Sequence, residues 1–234
     1  MTRAEEFQYE FNKLDKALRK LADADDRVEL VSVIRELSRK NSVVRRFYND
    51  LNSYRELRNA IVHKSTEHAI ADPYQETIDG LRRIRESVEK PKTAWDIATT
   101  ELITVSLEDS LSGVIRQMAD MHITSLPIID NRSVVGFISE STVVKIVDRA
   151  FEQDGALIDE AKIKDVDYDK PSGSDSEIYE YVTRKTTVYE IEDMFNDSIK
   201  KGQRLLAILV SDKGDASTTP LGIITTWDLH KIDK

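Results

Sequence analysis

The stretch YRELRNAIVHKS, residues 54–65, places a guanidinium, a carboxamide and an imidazole within six residues: Arg58, Asn59 and His63. An imidazole with a pKa near 6.5 takes up and releases protons near neutrality, and a guanidinium binds phosphate or the negative charge that develops in a transition state. These residue types suit acid–base chemistry that needs no metal. On a helical wheel centred on Ile61, Leu57 and Tyr54 fall within roughly 40° and form a core-facing stripe. Glu56, Asn59 and His63 fall about 160° to 220° away, and Arg58 flanks them. The polar set is therefore expected to point away from its own core, toward a partner or a substrate. Arg45, Arg46 and Arg55 share the same helical segment and either gather phosphates or form a solvated face.

The surrounding pattern indicates which elements hold that segment. Residues 1–90 repeat apolar side chains at helical spacing, as in Phe7, Phe11, Leu14, Leu18 and Leu21. This predicts four helices over 3–23, 26–40, 42–64 and 74–89, with DPYQ as the start signal of the last. After Pro91 the texture changes to short β-rich runs, ELITV, SLPIID, VVGFIS, RLLAILV and LGIITT, separated by helical stretches, which predicts a second, α/β domain over 91–234. The net charge of −9 is divided unevenly: residues 1–90 carry 18 basic and 17 acidic side chains, leaving −10 for the remainder. A polyanion is tolerated by the first part and repelled by the second.

Composition removes several classes of chemistry. There is no cysteine, which excludes disulfides, thiol catalysis and thiolate metal sites. His63, His68, His122 and His230 lack metal-ligand spacing, so no metal is expected. The longest apolar run, LLAILV at 205–210, is far short of the roughly 20 residues that span a bilayer. The opening MTRAEEFQYE lacks the apolar segment of a secretory signal, and a cytoplasmic location is expected.

The second domain repeats itself. Residues 92–150 and 160–234 each read as β-α-β-β-α, with Val105 matching Val182, Leu111 matching Val188, Met118 matching Phe195, Leu126 matching Leu206, and Gly136 matching Gly222. This order, with SLPIID followed by GFIS in the first copy and LGIITTWDL in the second, resembles the CBS domain, a regulatory module that occurs in tandem pairs and binds adenine nucleotides. The resemblance implies a nucleotide (AMP, ADP or ATP) in a cleft between the copies. There Thr225 and Asp228 would present a hydroxyl and a ribose-binding carboxylate. Arg204 would bind phosphate with Thr124 as its pseudo-symmetric counterpart, and Ile103 and Ile223 would offer backbone groups and apolar walls to the base. The first copy has Ser139 and Thr142 in the positions of Thr225 and Asp228 and no acid, so a single occupied cleft is expected.

The N-terminal part, with RNAIVH on a late helix, resembles the HEPN superfamily of four-helix domains. Many of its members are metal-independent ribonucleases in which two chains share one site. The resemblance implies that His63 relays the 2′-hydroxyl proton or protonates the leaving oxygen, that Arg58 binds the phosphate, and that Asn59 orients the imidazole or contacts RNA. The combined expectation is a homodimeric α+β two-domain protein, a four-helix HEPN-like bundle followed by an α/β CBS pair, whose nucleotide sensing controls an RNA-cleaving domain. The alternative is a non-catalytic nucleotide sensor whose helical domain mediates dimerisation or partner binding.

Overall fold

The computed structural model describes residues 1–62, 72–152, 161–168 and 177–232. The chain divides into two compact units, Met1–Lys92 and Thr93–Lys234.

The first unit is helical: α1 (Arg3–Ala22), α2 (Leu30–Lys40), α3 (Ser42–Arg46), α4 (Tyr48–Val62) and α5 (Gln75–Glu89). A capping box starts α1, in which the Thr2 hydroxyl accepts the Glu5 N–H and the Glu5 carboxylate accepts the Thr2 N–H. The stripe of Phe7, Phe11, Leu14 and Leu18 is buried as its spacing requires, and α1 packs most extensively on α5, which buries Ile78, Leu81 and Ile84. Leu21, expected to continue the stripe, is exposed. On the same interface the buried Glu10 accepts from Arg85 Nε at 2.9 Å, with Arg82 Nε 3.6 Å away, so its charge is compensated where water is excluded. Gly80 lets α5 pass α4, because a Cβ there would lie 2.6 Å from the Tyr54 hydroxyl.

Three predicted helix boundaries differ, each for a local reason. The helix expected from residue 26 starts at Leu30, because Arg19 holds the carbonyls of Asp25 and Val28 at 2.9 and 2.8 Å while Asp25 accepts the Arg27 N–H, making a turn of that segment. The helix expected over 42–64 is two, α3 and α4, separated at Phe47, whose backbone (φ −100°, ψ 18°) leaves the helical region. Asn41 caps α3 by accepting the Val44 N–H at 3.0 Å. Asp72 does not cap the last helix; it pairs with Arg3, and Tyr74 stands at the N-cap without a side-chain bond.

The second unit runs α6 (Ala94–Ile97), β1 (Val105–Ser106), α7 (Leu111–Met121), β2 (Ser125–Asp130), β3 (Ser133–Ser139) and α8 (Glu140–Glu152). It continues with a 3-10 turn (Ile163–Asp165), β4 (Glu177–Thr183), α9 (Val188–Lys200), β5 (Arg204–Ser211), β6 (Gly222–Ile224) and a second 3-10 turn (Thr226–Lys231). Two three-stranded sheets result, β1-β2-β3 and β4-β5-β6, each with a parallel pair followed by an antiparallel pair. Each sheet packs its own helix: Leu111, Val114 and Met118 of α7 on one, Val188, Ile191 and Phe195 of α9 on the other. A third core of Val134, Phe137, Tyr179, Leu206, Ala207 and Leu209 joins strands of both copies, with the rings of Phe137 and Tyr179 4.7 Å apart. Strand β5 is buried on both faces after Arg204, which is why it reads as a continuous apolar run.

Register fixes the equivalence between copies. Val105 pairs with Ile128 and Gly136 with Ile128; Val182 pairs with Val210 and Gly222 with Val210. Ile128 therefore corresponds to Val210, and Leu126 to Ile208 rather than to Leu206. The two-residue offset arises because β5 starts earlier than β2. It places Thr124 opposite Leu206, so Arg204 lies two residues beyond the counterpart expected for it. Ser139 and Thr142 still correspond to Thr225 and Asp228.

Candidate functional site

At the end of β6 the chain enters its second 3-10 turn through Thr225, in extended conformation. Asp228, three residues on, folds back so that Oδ2 accepts the Thr225 N–H at 2.8 Å and the Thr225 hydroxyl at 3.1 Å. Its other oxygen, Oδ1, accepts Lys231 Nζ at 2.6 Å and the Thr99 hydroxyl at 3.4 Å. Lys231 also donates to the carbonyl of Ile97 at 2.9 Å, which ties the turn to the start of the first copy. Asp228 is 7% exposed, whereas Thr99 is exposed and Thr225 half-buried, so the carboxylate lies buried beside exposed surface. A carboxylate has about four acceptor positions. The weakest of the four donors here is the Thr99 hydroxyl, at a distance where a hydrogen bond contributes little. The Lys231 side chain is half exposed. Thr99 and Lys231 are neighbours of Asp228 that sequence reading missed; Lys231 follows Asp228 by one turn, but nothing in the sequence points from Thr99 to Asp228.

The equivalent end of the first copy is built from the same kinds of group. Ser139 Oγ lies 2.9 Å from Thr142 Oγ1 and 3.0 Å from Ser141 Oγ. The acid comes from the other copy: Glu177, the first residue of β4, accepts from Ser139 at 2.7 Å and Ser141 at 2.5 Å on Oε2, and from Arg204 Nη1 at 2.9 Å on Oε1. Glu177 opens β4, five residues before Val182, whereas Thr99 lies six residues before Val105 in an isolated bridge to Ile223, so the two ends are not matched residue for residue here. Ser139, Thr142 and Glu177 are all buried.

The expected ligand set is thus partly assembled. Thr225 and Asp228 are joined. Arg204, expected beside them, gives its guanidinium to Glu177, because a buried carboxylate requires a cation. The backbone N–H and C=O of Ile223 both pair with Thr99 at 2.9 Å, so Ile223 has a half-buried side chain to offer rather than backbone groups. Ile103 packs on the first copy's core, and the Thr124 carbonyl accepts the Glu140 N–H at 3.0 Å.

In the helical unit, Arg58 and Asn59 are half-buried and do not form a freely solvated face. They line a groove of about 370 Å³ with Arg19, Arg55 and Asn12, opened between α1, the start of α2 and α4. Arg58 donates to Asn59 Oδ1 at a long 3.4 Å, and the buried Nε of Arg55 has no hydrogen-bond partner among the described residues. His63 lies outside the described residues. Among the described residues, no group of three or more His, Cys, Asp or Glu side chains is placed to hold a metal ion, and no helix is long and apolar enough to cross a membrane.

Comparison with known proteins places a family on this geometry. Residues 94–149, from α6 into α8, match the CBS domain family, so the C-terminal unit contains a CBS-type domain. Solved structures similar to the chain include the CBS domain of a CBS domain containing membrane protein from Sphaerobacter thermophilus (22% identity, 68% of this chain and 98% of that one, TM-score 0.46). CBSX2 in complex with AMP is another (16% identity, 60% and 95%, TM-score 0.45), as is the CBS-pair protein CBSX2 from Arabidopsis thaliana (16%, 62% and 95%, TM-score 0.44). No curated protein matches the chain.

Proposed function

We propose that this protein is an adenine-nucleotide-responsive regulator that takes one nucleotide per chain at the Thr225–Asp228 end. The observation that carries this reading is a buried carboxylate flanked by two threonine hydroxyls, one of them on an exposed residue, and by the ammonium of a half-exposed lysine. A ribose diol can donate two hydrogen bonds to Asp228 Oδ1 as Thr99 and Lys231 withdraw, and the released ammonium then meets the phosphate. Titration calorimetry with AMP, ADP and ATP tests it. Uptake should be one per chain, and Asp228→Ala should weaken binding by about 1.5 to 3 kcal/mol, the worth of hydrogen bonds to a charged group. Absence of uptake by the wild type, or equal affinity in the variant, refutes the assignment.

We further infer that the helical unit is the output, a metal-independent ribonuclease in which two chains of a homodimer bring together Arg58, Asn59 and His63. Its support is the groove that Arg58, Asn59, Arg55 and Arg19 line together, a concentration of guanidinium groups suited to phosphate. Nucleotide can control such a site only by binding one dimer arrangement better than another. Cleavage should proceed in EDTA, leave a 2′,3′-cyclic phosphate, and fall by about two to four orders of magnitude in His63→Ala. If varied RNAs stay intact with and without nucleotide, the protein is a sensor whose helical unit dimerises or binds a partner protein.

A further inference from the structure

The first copy's end, at Ser139, carries the groups that bind a phosphate. Two serine hydroxyls, Ser139 and Ser141, stand at the start of the 13-residue helix α8, and the Arg204 guanidinium faces them. Hydroxyl donors, a helix N-terminus and a guanidinium converging on one point select an anion. Here that anion is part of the chain: the Glu177 carboxylate, 5% exposed, with one oxygen on the serines and the other on Arg204.

The two ends differ in access as well as in source of acid. At the Thr225 end Thr99, which makes an isolated bridge to Ile223, is exposed, and the acid is held by a residue three positions away in its own turn. At the Ser139 end the acid is Glu177, and Ser139 and Thr142 have no more than 1% of their surface exposed. We propose that Glu177 is an internal surrogate for a ligand phosphate: it occupies the Ser139 end, takes the donors a phosphomonoester would claim, and thereby sets the capacity of the module at one nucleotide. The proposal rests on the nucleotide reading of the Thr225 end. Removing the carboxylate takes away the acceptor that Ser139, Ser141 and Arg204 share, so the end acquires affinity for a phosphate-bearing ligand and not for a nucleoside.

The test is equilibrium titration of the full chain with AMP and with adenosine. The wild type is expected to bind one AMP, and Glu177→Ser two, while adenosine adds no second equivalent to the variant. Glu177→Gln, which keeps the side chain's size, serves if the serine variant does not fold; it should take a second AMP at higher concentration. Two AMP per wild-type chain, or a single equivalent in both folded variants, overturns the proposal. No uptake by the wild type with one equivalent in Glu177→Ser sinks the Thr225 assignment and upholds this one, and no uptake by either protein removes both.

Discussion

The two ends of the C-terminal unit hold nearly the same chemistry, a carboxylate, a cation and hydroxyls, but assemble it by different routes. At one, Thr225, Asp228 and Lys231 belong to a single turn spanning seven residues, and the Thr99 hydroxyl and the Ile97 carbonyl come from afar. At the other, Ser139 meets an acid 38 positions away and a guanidinium beyond that. The first route makes the acid a local cap, which stays formed if its far partner leaves. The second makes the acid a cross-tie between copies. Pseudo-symmetry of the backbone therefore does not carry symmetry of the side chains: at one end the acid lies in the turn itself, at the other it comes from the first residue of β4.

Single substitutions should break this comparison in a definite order. Both tryptophans, Trp95 and Trp227, lie in the second unit, so urea unfolding followed by their fluorescence reports that unit. Arg204→Ala should cost the most, about 3 kcal/mol, because it leaves Glu177 buried without its cation. Glu177→Ala should cost less, about 2 kcal/mol, since the group left behind, Arg204, is half exposed and solvates itself while Ser139 keeps Thr142. If Glu177→Ala is the more damaging, the acid is not the member that needs compensation. Lys231→Ala should cost about 1 kcal/mol, because Asp228 retains three donors. Thr99→Val should stay below about 0.5 kcal/mol, as its bond to Asp228 is long.

An exposed cluster of three charges supplies the contrast. Glu108 accepts from Lys162 and Lys164, both at 2.7 Å, and these hydrogen bonds hold its carboxyl down to about 2, below its ordinary 4.5. A carboxyl lowered by folding contributes fully above about 4.5 and loses that contribution as pH falls toward 2. Being fully exposed, the cluster is screened by salt. The acid-range slope should therefore shrink in Glu108→Gln and in 1 M salt, whereas the cost of Arg204→Ala should persist in salt; an equal salt response would place Glu177 in water.

What the sequence made legible was local. Helical spacing in α1, the change of texture after Pro91, the repeat and the Thr225–Asp228 pair all depend on residues a few positions apart. What it hid depends on distant partners. Arg19 reaching the carbonyls of Asp25 and Val28 delays α2. The longer β5 shifts the repeat by two residues, so similar leucines at 126 and 206 face different cores. Glu177 looks like any strand-edge acid until β4 is laid beside β5 and its first residue is brought to Ser139. Asn59 and Arg58 were placed on the right helix, but the wheel could not know that α1 and the start of α2 would wall them into a groove.

The shared core of Phe137, Tyr179 and Leu206 has a consequence for how this architecture can be inherited and engineered. A single copy excised from the pair would expose that aromatic face, and the serines of Ser139 and Ser141 would lose their acid. Neither repeat is a portable cassette. Recombination that grafts, swaps or circularly permutes this module should succeed only when both copies travel together, with breakpoints outside Thr93–Lys234.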